Sequence, residues 1–281
     1  MRLCEYLCDL CVRLSLQEIR AMGYVTLLSD LGLQDASVAV AKGILMQYTQ
    51  GLDIIDITHD VSPFNTQQAA YLLGSAYKNF PVGTYHILLF DLFSEKTPSL
   101  LLCEHEGHYF LSPDNGTIPL ALGTIPANTR QCYAYKKGDT FNDWLNAIGN
   151  IIISLQAQKI SISDLPQYQL KKISQNPAHI PGANIVDCEV IHIDRYENVV
   201  INITGPQFED IGRGRKFRLQ FMQVEEINEI SSNYTDAREG YKLCRFNSNN
   251  YLEICINRGR AASLFGLRLG ARNNNIKIFF E

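Results

Sequence analysis

The sequence lacks the features typical of membrane proteins and nucleic-acid-binding proteins. Its apolar runs fall well short of the ~20 residues that a membrane-spanning helix needs. The 25 lysines and arginines stand against 29 aspartates and glutamates, and this balance gives no basic face for phosphate groups. The head of the chain does not form a signal peptide, because Glu5, Asp9 and Arg13 interrupt any apolar core. We therefore expect a cytoplasmic protein with no membrane partner and no nucleic-acid partner.

Strand-like and helix-like segments alternate in the first part of the chain, from Tyr24 to about Leu170. Apolar runs predict strands at Tyr24–Leu28, Leu52–Ile57 and Tyr85–Phe90. Helical spacing predicts helices at Ser37–Gln50, Thr66–Asn79 and Phe141–Leu155. Such alternation is typical of an α/β domain with a mostly parallel sheet flanked by helices, whose ligand cleft lies beyond the carboxyl ends of the strands.

The second part of the chain has a different pattern. Residues 174–184 (SQNPAHIPGAN) contain two prolines and a glycine, and they predict a linker. Short strands separated by turn residues follow, at Ile185–Ile193, Val199–Ile203, Lys216–Met222 and Tyr251–Ile256. We therefore expect an α/β domain at residues 23–174 and a small all-β domain at residues 184–281, barrel-like or a sandwich, after an extension of uncertain status at residues 1–22.

Aspartates follow the predicted strands of the first domain. Asp30, Asp60 and Asp91 each come directly after a strand or its short end turn. The carboxyl ends of parallel strands meet at one edge of a sheet, so we expect these side chains to gather there. A carboxylate accepts two hydroxyl hydrogen bonds at once, which suits a diol. The edge is therefore the predicted ligand site.

These blocks resemble the motifs of the S-adenosyl-L-methionine (SAM) hydrolases, or SAM hydroxide adenosyltransferases, and of the related SAM-dependent fluorinases and chlorinases. The matching blocks recur in order from Tyr24 to Leu269, and include SDLG at 29–32, DITHDV at 56–61, PDNG at 113–116 and IDRYEN at 193–198. The resemblance implies that the chain hydrolyses SAM to adenosine and L-methionine by in-line attack of water at the 5′ carbon, with no metal or other cofactor. It also implies a homotrimer, with each site between the first domain of one subunit and the second domain of its neighbour.

The resemblance also assigns roles in the first domain. Asp91 would orient or deprotonate the water, and Asp30 would hold the ribose hydroxyls. Asp35 and Ser37 match residues that handle the methionine end, although Asp35 also suits the start of a helix. Phe64 would place an aromatic ring beside the sulfonium, and Asn115 would contact the ligand from the PDNG turn. Core packing is an equally good interpretation of Phe64.

In the second domain, the resemblance implies the rest of the ligand contacts. Asp194 would pair with the methionine amine, while Tyr196 and Tyr234 would close on the adenine from two sides. Asn198 offers a donor and an acceptor to a base edge. The last motif contributes three further candidates, Asn247, Ser248 and Ala261. Glu197 stands where the family has glycine.

Two groups of the family's water-activating set are altered. Asp91 is the residue that hydrolases carry, where halogenases carry tyrosine, and it favours water as the nucleophile. The arginine expected after it is missing, and Lys96 cannot copy the two-pronged guanidinium. The family histidine is Asn142, which cannot shuttle a proton. A catalytically impaired protein that binds SAM or adenosine, as a sensor or interaction module, is therefore the alternative, and an α/β protein acting on another nucleoside is a third.

The cysteines carry one further hypothesis. Five are scattered through mostly apolar segments, which favours buried free thiols: Cys103, Cys132, Cys188, Cys244 and Cys255. Cys4, Cys8 and Cys11 have the C-x3-C-x2-C spacing of an iron–sulfur cluster in radical SAM enzymes. Nothing strand-like precedes Cys4, however, and an upstream extension with Met22 as the natural start is the simpler interpretation.

Overall fold

The computed structural model describes residues 23–170, 178–179, 184–222 and 224–281, and the side chain of residue 272 is not described. The chain divides into two compact units between residues 172 and 173. The hypotheses on Cys4, Cys8, Cys11 and residues 1–22, and most of the predicted linker, lie outside the described residues. Within those residues, the five cysteines are free thiols, and no helix is long and apolar enough to cross a membrane.

The first unit contains a six-stranded sheet. Its strands are β1 (Gly23–Ser29), β2 (Leu52–Thr58), β3 (Tyr85–Leu89), β4 (Ser99–His105), β5 (His108–Pro113) and β6 (Asn128–Ala134), and their order is β2-β1-β3-β5-β4-β6. Strand β1 is parallel to β2 and β3, and β3 is parallel to β5. Only β4 runs against its neighbours, because it forms a hairpin with β5. The predicted parallel sheet is confirmed, with one reversed strand.

Helices cover both faces of this sheet. They are α1 (Ser37–Tyr48), α2 (Thr66–Ala76), α3 (Thr117–Leu122) and α4 (Phe141–Gln156). Side chains alternate across a strand, so Val25 and Leu27 of β1 pack with Leu45 and Trp144 of α1 and α4. Leu28 points to the opposite face, into the cluster formed with α2 and α3. Two hydrophobic layers therefore hold the sheet, and its carboxyl edge is left for the loops.

Two histidines are buried in the core of the first unit. His86 of β3 lies between Thr26 and His108, with its Nδ1 2.8 Å from Thr26 Oγ1 and its Nε2 3.1 Å from His108 Nδ1. Neither imidazole is more than 5% exposed. Burial, with repulsion from His108, lowers the pKa of His86 to about 3, and burial also lowers the pKa of His108. The folded protein therefore holds both rings neutral.

Acidification should destabilise the protein through this pair. In the unfolded chain a histidine has a pKa near 6.5, so below that pH the unfolded state binds more protons than the folded state. We expect the free energy of unfolding to fall by about 2 kcal/mol between pH 7 and pH 5 from His86 alone. Urea unfolding of wild type and of His86→Phe measures this. His86→Phe should lose most of the pH dependence, and the partly exposed His105→Gln should retain it; equal slopes in all three proteins would contradict the prediction.

The second unit consists of two antiparallel sheets. One contains β9 (Val190–Ile193), β10 (Val199–Thr204), β13 (Lys242–Phe246) and β14 (Tyr251–Ile256), in the order β13-β14-β10-β9. The other contains β7 (Ala178–His179), β8 (Ile185–Cys188), β11 (Phe217–Phe221), β12 (Glu225–Ile227) and β15 (Ile276–Phe280), in the order β12-β11-β15-β8-β7. Buried residues of both sheets, including Val186, Ile201, Leu219, Ile254 and Ile278, form one core.

The prediction of an all-β arrangement is confirmed for the described strands of the second unit, which form two antiparallel sheets around one core, as in a sandwich. The second unit differs from the sequence prediction in two respects. The strand predicted at Ile185–Ile193 is broken at Glu189 into β8 and β9, which belong to different sheets. Two short helices, α5 (Gly205–Gly212) and α6 (Ala261–Phe265), interrupt the strands. Single-turn 3₁₀ helices occur across the chain at Tyr77–Asn79, Ile162–Asp164, Tyr234–Asp236 and Arg272–Asn274.

Candidate active site

Asp30 and Asp91 meet at the carboxyl edge of the first unit's sheet. They follow β1 and β3, which are neighbouring parallel strands with Ser29 paired to Leu89. The backbone N–H of Asp91 donates to Asp30 Oδ2 at 3.3 Å. Asp91 takes a left-handed backbone conformation, with φ 46°. The edge predicted from the strand pattern therefore carries two carboxyl groups side by side.

The environment of Asp30 makes it an unusual carboxyl group. Burial raises the pKa of Asp30, and repulsion from Asp91 adds to the effect, although the N–H of Asp91 works in the opposite direction. A carboxylate held partly out of water forms stronger hydrogen bonds with a ligand than a fully solvated one. Asp30 is therefore suited to accept hydrogen bonds from ligand hydroxyl groups, which would replace its hydrogen bonds with water.

Asn115 lies beneath this edge and is engaged in the fold. Its side-chain amide donates to Phe90 O at 2.8 Å, and its Oδ1 accepts the N–H of Thr117 at 3.1 Å. The next residue, Gly116, has φ 81°, which a side chain at that position would disfavour. Asn115 thus fixes the backbone immediately before Asp91. Direct contact of Asn115 with a ligand stays a prediction.

The remaining candidates of the first unit are Asp35 and Phe64, which are exposed, and Ser37, which is the half-buried first residue of α1. Asp35 Oδ1 accepts the N–H of Ser37 at 2.8 Å, and this hydrogen bond lowers the pKa of Asp35. Asp35 therefore lies just before α1, but the N-cap position itself is held by Ala36. Phe64 is 82% exposed and has φ 62°, so the interpretation of Phe64 as a core residue is wrong. Its role beside a sulfonium stays a prediction.

The second unit contains a pocket with aromatic and polar walls. Its volume is about 530 Å³, and it is lined by Tyr196, Asn198, Tyr234 and the segment 256–260, with Arg195 also on its lining. This volume is typical of small-molecule sites. Three residues that the resemblance assigns to adenine are thus brought together. Arg195 was missed, because an exposed arginine in a turn gives no sequence signal of its own.

The turn at one side of this pocket is organised by Asp194. Its Oδ1 accepts the backbone N–H groups of Tyr196 and Asn198, both at 2.8 Å, and its Oδ2 accepts the Asn198 side-chain amide at 2.9 Å. These bonds hold the 77% exposed ring of Tyr196 away from the unit's core. Asp194 therefore shapes the pocket wall, and its pairing with an amine stays a prediction.

Tyr234 is held in place on the other side of the pocket. Its hydroxyl donates to Glu253 Oε1 at 2.9 Å, and the Arg245 guanidinium lies over its ring at 4.8 Å. Burial and the hydrogen bond to Glu253 raise the pKa of Tyr234 to about 12, so its hydroxyl stays protonated at neutral pH. The pocket thus has one exposed aromatic ring, that of Tyr196, and a second ring, that of Tyr234, which two partners fix.

The last three candidates are not among the residues that line the pocket, although Ala261 directly follows Arg260, which does line it. Asn247 Oδ1 accepts the N–H groups of Asn249 and Tyr251, which closes the turn between β13 and β14. Ser248 is exposed in the same turn, and Ala261 is buried at the start of α6. Ligand contacts from Asn247, Ser248 and Ala261 stay predictions.

Comparison with known proteins follows the same division of the chain. The family model of the SAM hydroxide adenosyltransferase N-terminal domain matches residues 25–145, and that of the C-terminal domain matches residues 188–273. Together these matches cover well over half of the sequence. The chain belongs to the SAM hydroxide adenosyltransferase family.

Its relatives include hydrolases and halogenases. The chain is 25% identical to the (R)-S-adenosyl-L-methionine hydrolase of Methanocaldococcus jannaschii over 242 residues, which cover 82% of this chain and 87% of the relative. It is 24% identical to the protein of the same name from Salinispora tropica over 265 residues, with 89% and 96% covered. It is also 33% identical to a fluorinase of Actinoplanes sp. over 285 residues, with 88% and 95% covered.

Solved structures share the fold. An uncharacterized conserved protein from Thermotoga maritima superimposes with a TM-score of 0.72 at 23% identity, covering 92% of this chain and all of the other. A conserved hypothetical protein from Thermus thermophilus gives a TM-score of 0.68 at 21% identity, with 92% and 100% covered. The α/β unit followed by antiparallel sheets is therefore shared with these proteins.

Among the residues that the structure describes, the altered members of the SAM hydroxide adenosyltransferase set are not hydrogen-bonded to Asp91. Lys96 is exposed, and Asn142 is exposed in the first turn of α4. Within the described part of the chain, neither forms a hydrogen bond or ion pair with Asp91. His105 lies near Glu106 in the β4–β5 turn, and His108 is in the buried pair, so neither histidine replaces the missing one. Of this set the sequence retains Asp91, and its role in preparing water stays a prediction.

Glu197 joins two walls of the pocket at the position where the family has glycine. Its backbone has φ 64°, which suits glycine better than glutamate. Its Oε2 accepts the N–H of Ser263 at 2.9 Å, its Oε1 lies 3.3 Å from Arg260 Nη1, and its carbonyl accepts the N–H of Ala262 at 3.0 Å. The hydrogen bond from Ser263 is also the main reason that the pKa of Glu197 is lowered.

Two substitutions separate the side-chain links of Glu197 from its backbone conformation. Glu197→Gly and Glu197→Ala both remove the contacts with Arg260 and Ser263, and we expect both to weaken adenosine binding several-fold because the pocket wall loosens. Only Glu197→Ala retains the left-handed strain, so it should melt at a lower temperature than Glu197→Gly. Calorimetric titration and thermal unfolding test this. Wild-type affinity in both variants would contradict a role in the pocket.

Proposed function

We propose that this chain binds SAM and hydrolyses it to adenosine and L-methionine. The observation that carries the proposal is the contact of Asp30 with Asp91 at the carboxyl edge of the sheet, in a chain of the SAM hydroxide adenosyltransferase family. Hydrolases among the relatives are named for this reaction. The aromatic pocket of the second unit supports adenine as part of the ligand.

The proposed reaction is an in-line displacement at the 5′ carbon. Asp91 orients the water, the new C–O bond forms as the C–S bond breaks, and the sulfonium leaves with the electron pair as the neutral thioether of methionine. The proton lost by water passes to Asp91 or to solvent. Because the sulfonium is a good leaving group, holding water in line supplies much of the rate. This explains how one carboxylate can suffice when, in the described ranges, Lys96 and Asn142 form no hydrogen bond with it.

The other residues hold the substrate in this proposal. Asp30 accepts the two ribose hydroxyls, and Tyr196, Tyr234 and Asn198 bind the adenine. The methionine part is held by Asp35, Ser37 and Asp194, with Phe64 facing the sulfonium through its π face. No metal or other cofactor takes part.

Incubation of the purified chain with excess SAM at neutral pH tests the proposal. Chromatography should show adenosine and methionine in equal amounts, above a protein-free control and above Asp91→Asn. Added EDTA should leave the rate unchanged. Added fluoride or chloride should give no halogenated nucleoside, because water is the proposed nucleophile. SAM recovered intact with the protein would overturn hydrolysis and leave a SAM-binding protein.

We also propose that the chain forms a homotrimer, as the family resemblance implies. Light scattering on the purified protein should give about three times the 31.7 kDa of one chain. A monomeric mass, with full activity retained, would contradict the assembly.

A further inference from the structure

Four side chains form a continuous path from the surface to the turn that carries Asp30. Lys42 Nζ on α1 lies 2.6 Å from Asp56 Oδ2 on β2. Asp56 Oδ1 lies 3.1 Å from His59 Nε2, at ion-pair distance although not in line for a straight hydrogen bond. His59 Nδ1 is hydrogen-bonded to Ser29 Oγ at 2.7 Å. Ser29 is the last residue of β1 and directly precedes Asp30.

The inner half of this path is shielded from water and the outer half is not. Ser29 is fully buried and His59 is 5% exposed, whereas Lys42 and Asp56 are partly exposed. Burial alone would raise the pKa of Asp56, but its contacts with Lys42 and His59 outweigh burial and lower that pKa. The ionised carboxylate therefore orients His59 from its solvent side.

The Ser29 hydroxyl and the backbone carbonyl of His59 hold the turn around Asp30 on both sides. The N–H of Leu31 donates to Ser29 Oγ at 3.4 Å, and the N–H of Gly32 donates to His59 O at 2.7 Å. Ser29 Oγ accepts from Leu31 and can donate its own proton to His59 Nδ1, and in that tautomer the ring proton lies on Nε2, facing Asp56. A serine, a histidine and an aspartate in this order suggest a nucleophile, but the fully buried Ser29 hydroxyl cannot reach a substrate.

We propose that His59 is a positioning residue, which holds Ser29 and thereby sets the Asp30 carboxylate for the ligand. It completes the site from beneath, and none of its atoms needs to touch the substrate. The statement about SAM rests on the proposed function, whereas the link between His59 and the Asp30 turn does not.

Two replacements of His59 divide its contacts. In His59→Asn the amide oxygen falls near the position of Nδ1 and can accept from Ser29, but it cannot reach Asp56. In His59→Gln the amide falls near the position of Nε2 and reaches Asp56, but it leaves Ser29 without a partner. We expect SAM affinity within threefold of wild type for His59→Asn and about tenfold weaker for His59→Gln and for Ser29→Ala. KM should change more than kcat, and the control His105→Gln should match wild type.

Hydrogen exchange gives a second measurement that does not depend on SAM. The amide of Leu31, which donates to Ser29 Oγ, should exchange faster in His59→Gln and Ser29→Ala than in wild type and His59→Asn. Wild-type exchange and wild-type SAM affinity in every variant would overturn the proposal. An equal loss of SAM affinity in His59→Asn and His59→Gln, with equally lowered melting temperatures, would also overturn it, because it would indicate core packing alone. If wild type binds no SAM, the proposed function fails, and the exchange pattern still decides the role of His59.

Discussion

Replacement of Asp30 by alanine should weaken SAM binding by at least about 100-fold. A hydrogen bond to a charged acceptor contributes about 1.5–3 kcal/mol, and Asp30 would accept two from the ribose. The sum of about 3 kcal/mol or more corresponds to a factor of at least about 100 in the dissociation constant. Isothermal titration with SAM and with adenosine measures it. Unchanged affinity for both ligands would remove Asp30 from the ribose site.

The same residue should show opposite effects on binding and stability. Because burial raises the pKa of Asp30, the folded state holds this proton more tightly than the unfolded state, so ionisation at neutral pH opposes folding. This penalty is relieved as the pH falls through the raised pKa. Asp30→Asn should therefore raise the melting temperature of the ligand-free protein at neutral pH while binding is lost. The matched control Asp53→Asn, an exposed aspartate on β2, should change neither property.

Replacement of Asp91 by asparagine should reduce turnover by about 100-fold or more and leave SAM affinity within threefold. A positioned carboxylate that accepts a proton contributes about 10²- to 10⁴-fold to a rate, and asparagine cannot accept it. Asparagine is also the substitution that the backbone tolerates, because it enters left-handed conformations such as the φ of 46° at this position. Alanine would add strain and confuse the result.

Single-turnover measurement of adenosine formation tests the role of Asp91, since it separates chemistry from product release. The control is Asp53→Asn, an exposed aspartate on β2. Full turnover by Asp91→Asn would show that another group prepares the water, and would return Lys96 to consideration.

The regular part of the first unit could be predicted from the sequence. Strand β3 is buried throughout, and such uninterrupted apolar runs are typical of a sheet covered on both faces. The rule that parallel strands meet at one edge was sufficient to bring Asp30 and Asp91 together. Both predictions depend on local patterns that extend over five or more residues.

Short and edge elements could not be predicted in this way. Strand β6 is a mixed polar edge strand, and α3 has six residues and begins at a proline-containing turn. The break at Glu189 is set by pairing with distant residues, since Cys188 pairs with Ile276 while Val190 pairs with Ile201. No window of local sequence contains those partners.

The site shows a similar limit. A residue that matches a ligand contact in a motif can also form hydrogen bonds within the protein itself. The identity of the residue in the sequence does not distinguish these two roles. Asp194 has both side-chain oxygens engaged in its own turn, and Asn115 forms hydrogen bonds with Thr117 in its own turn and with the backbone of Phe90 before Asp91. The sequence shows His59 only as one residue of the DITHDV block. Its proposed role depends on a contact with Ser29, thirty residues earlier, which no local pattern predicts.

The backbone at Asp91 also bears on how hydrolases and halogenases could interconvert. The halogenase tyrosine would have to occupy a left-handed conformation here, which a bulky aromatic side chain strongly disfavours. A single codon change at position 91 would therefore leave a misfit loop in place of a halide site. Laboratory evolution toward halogenation should therefore change the backbone of segment 90–98 before, or together with, the residue at position 91.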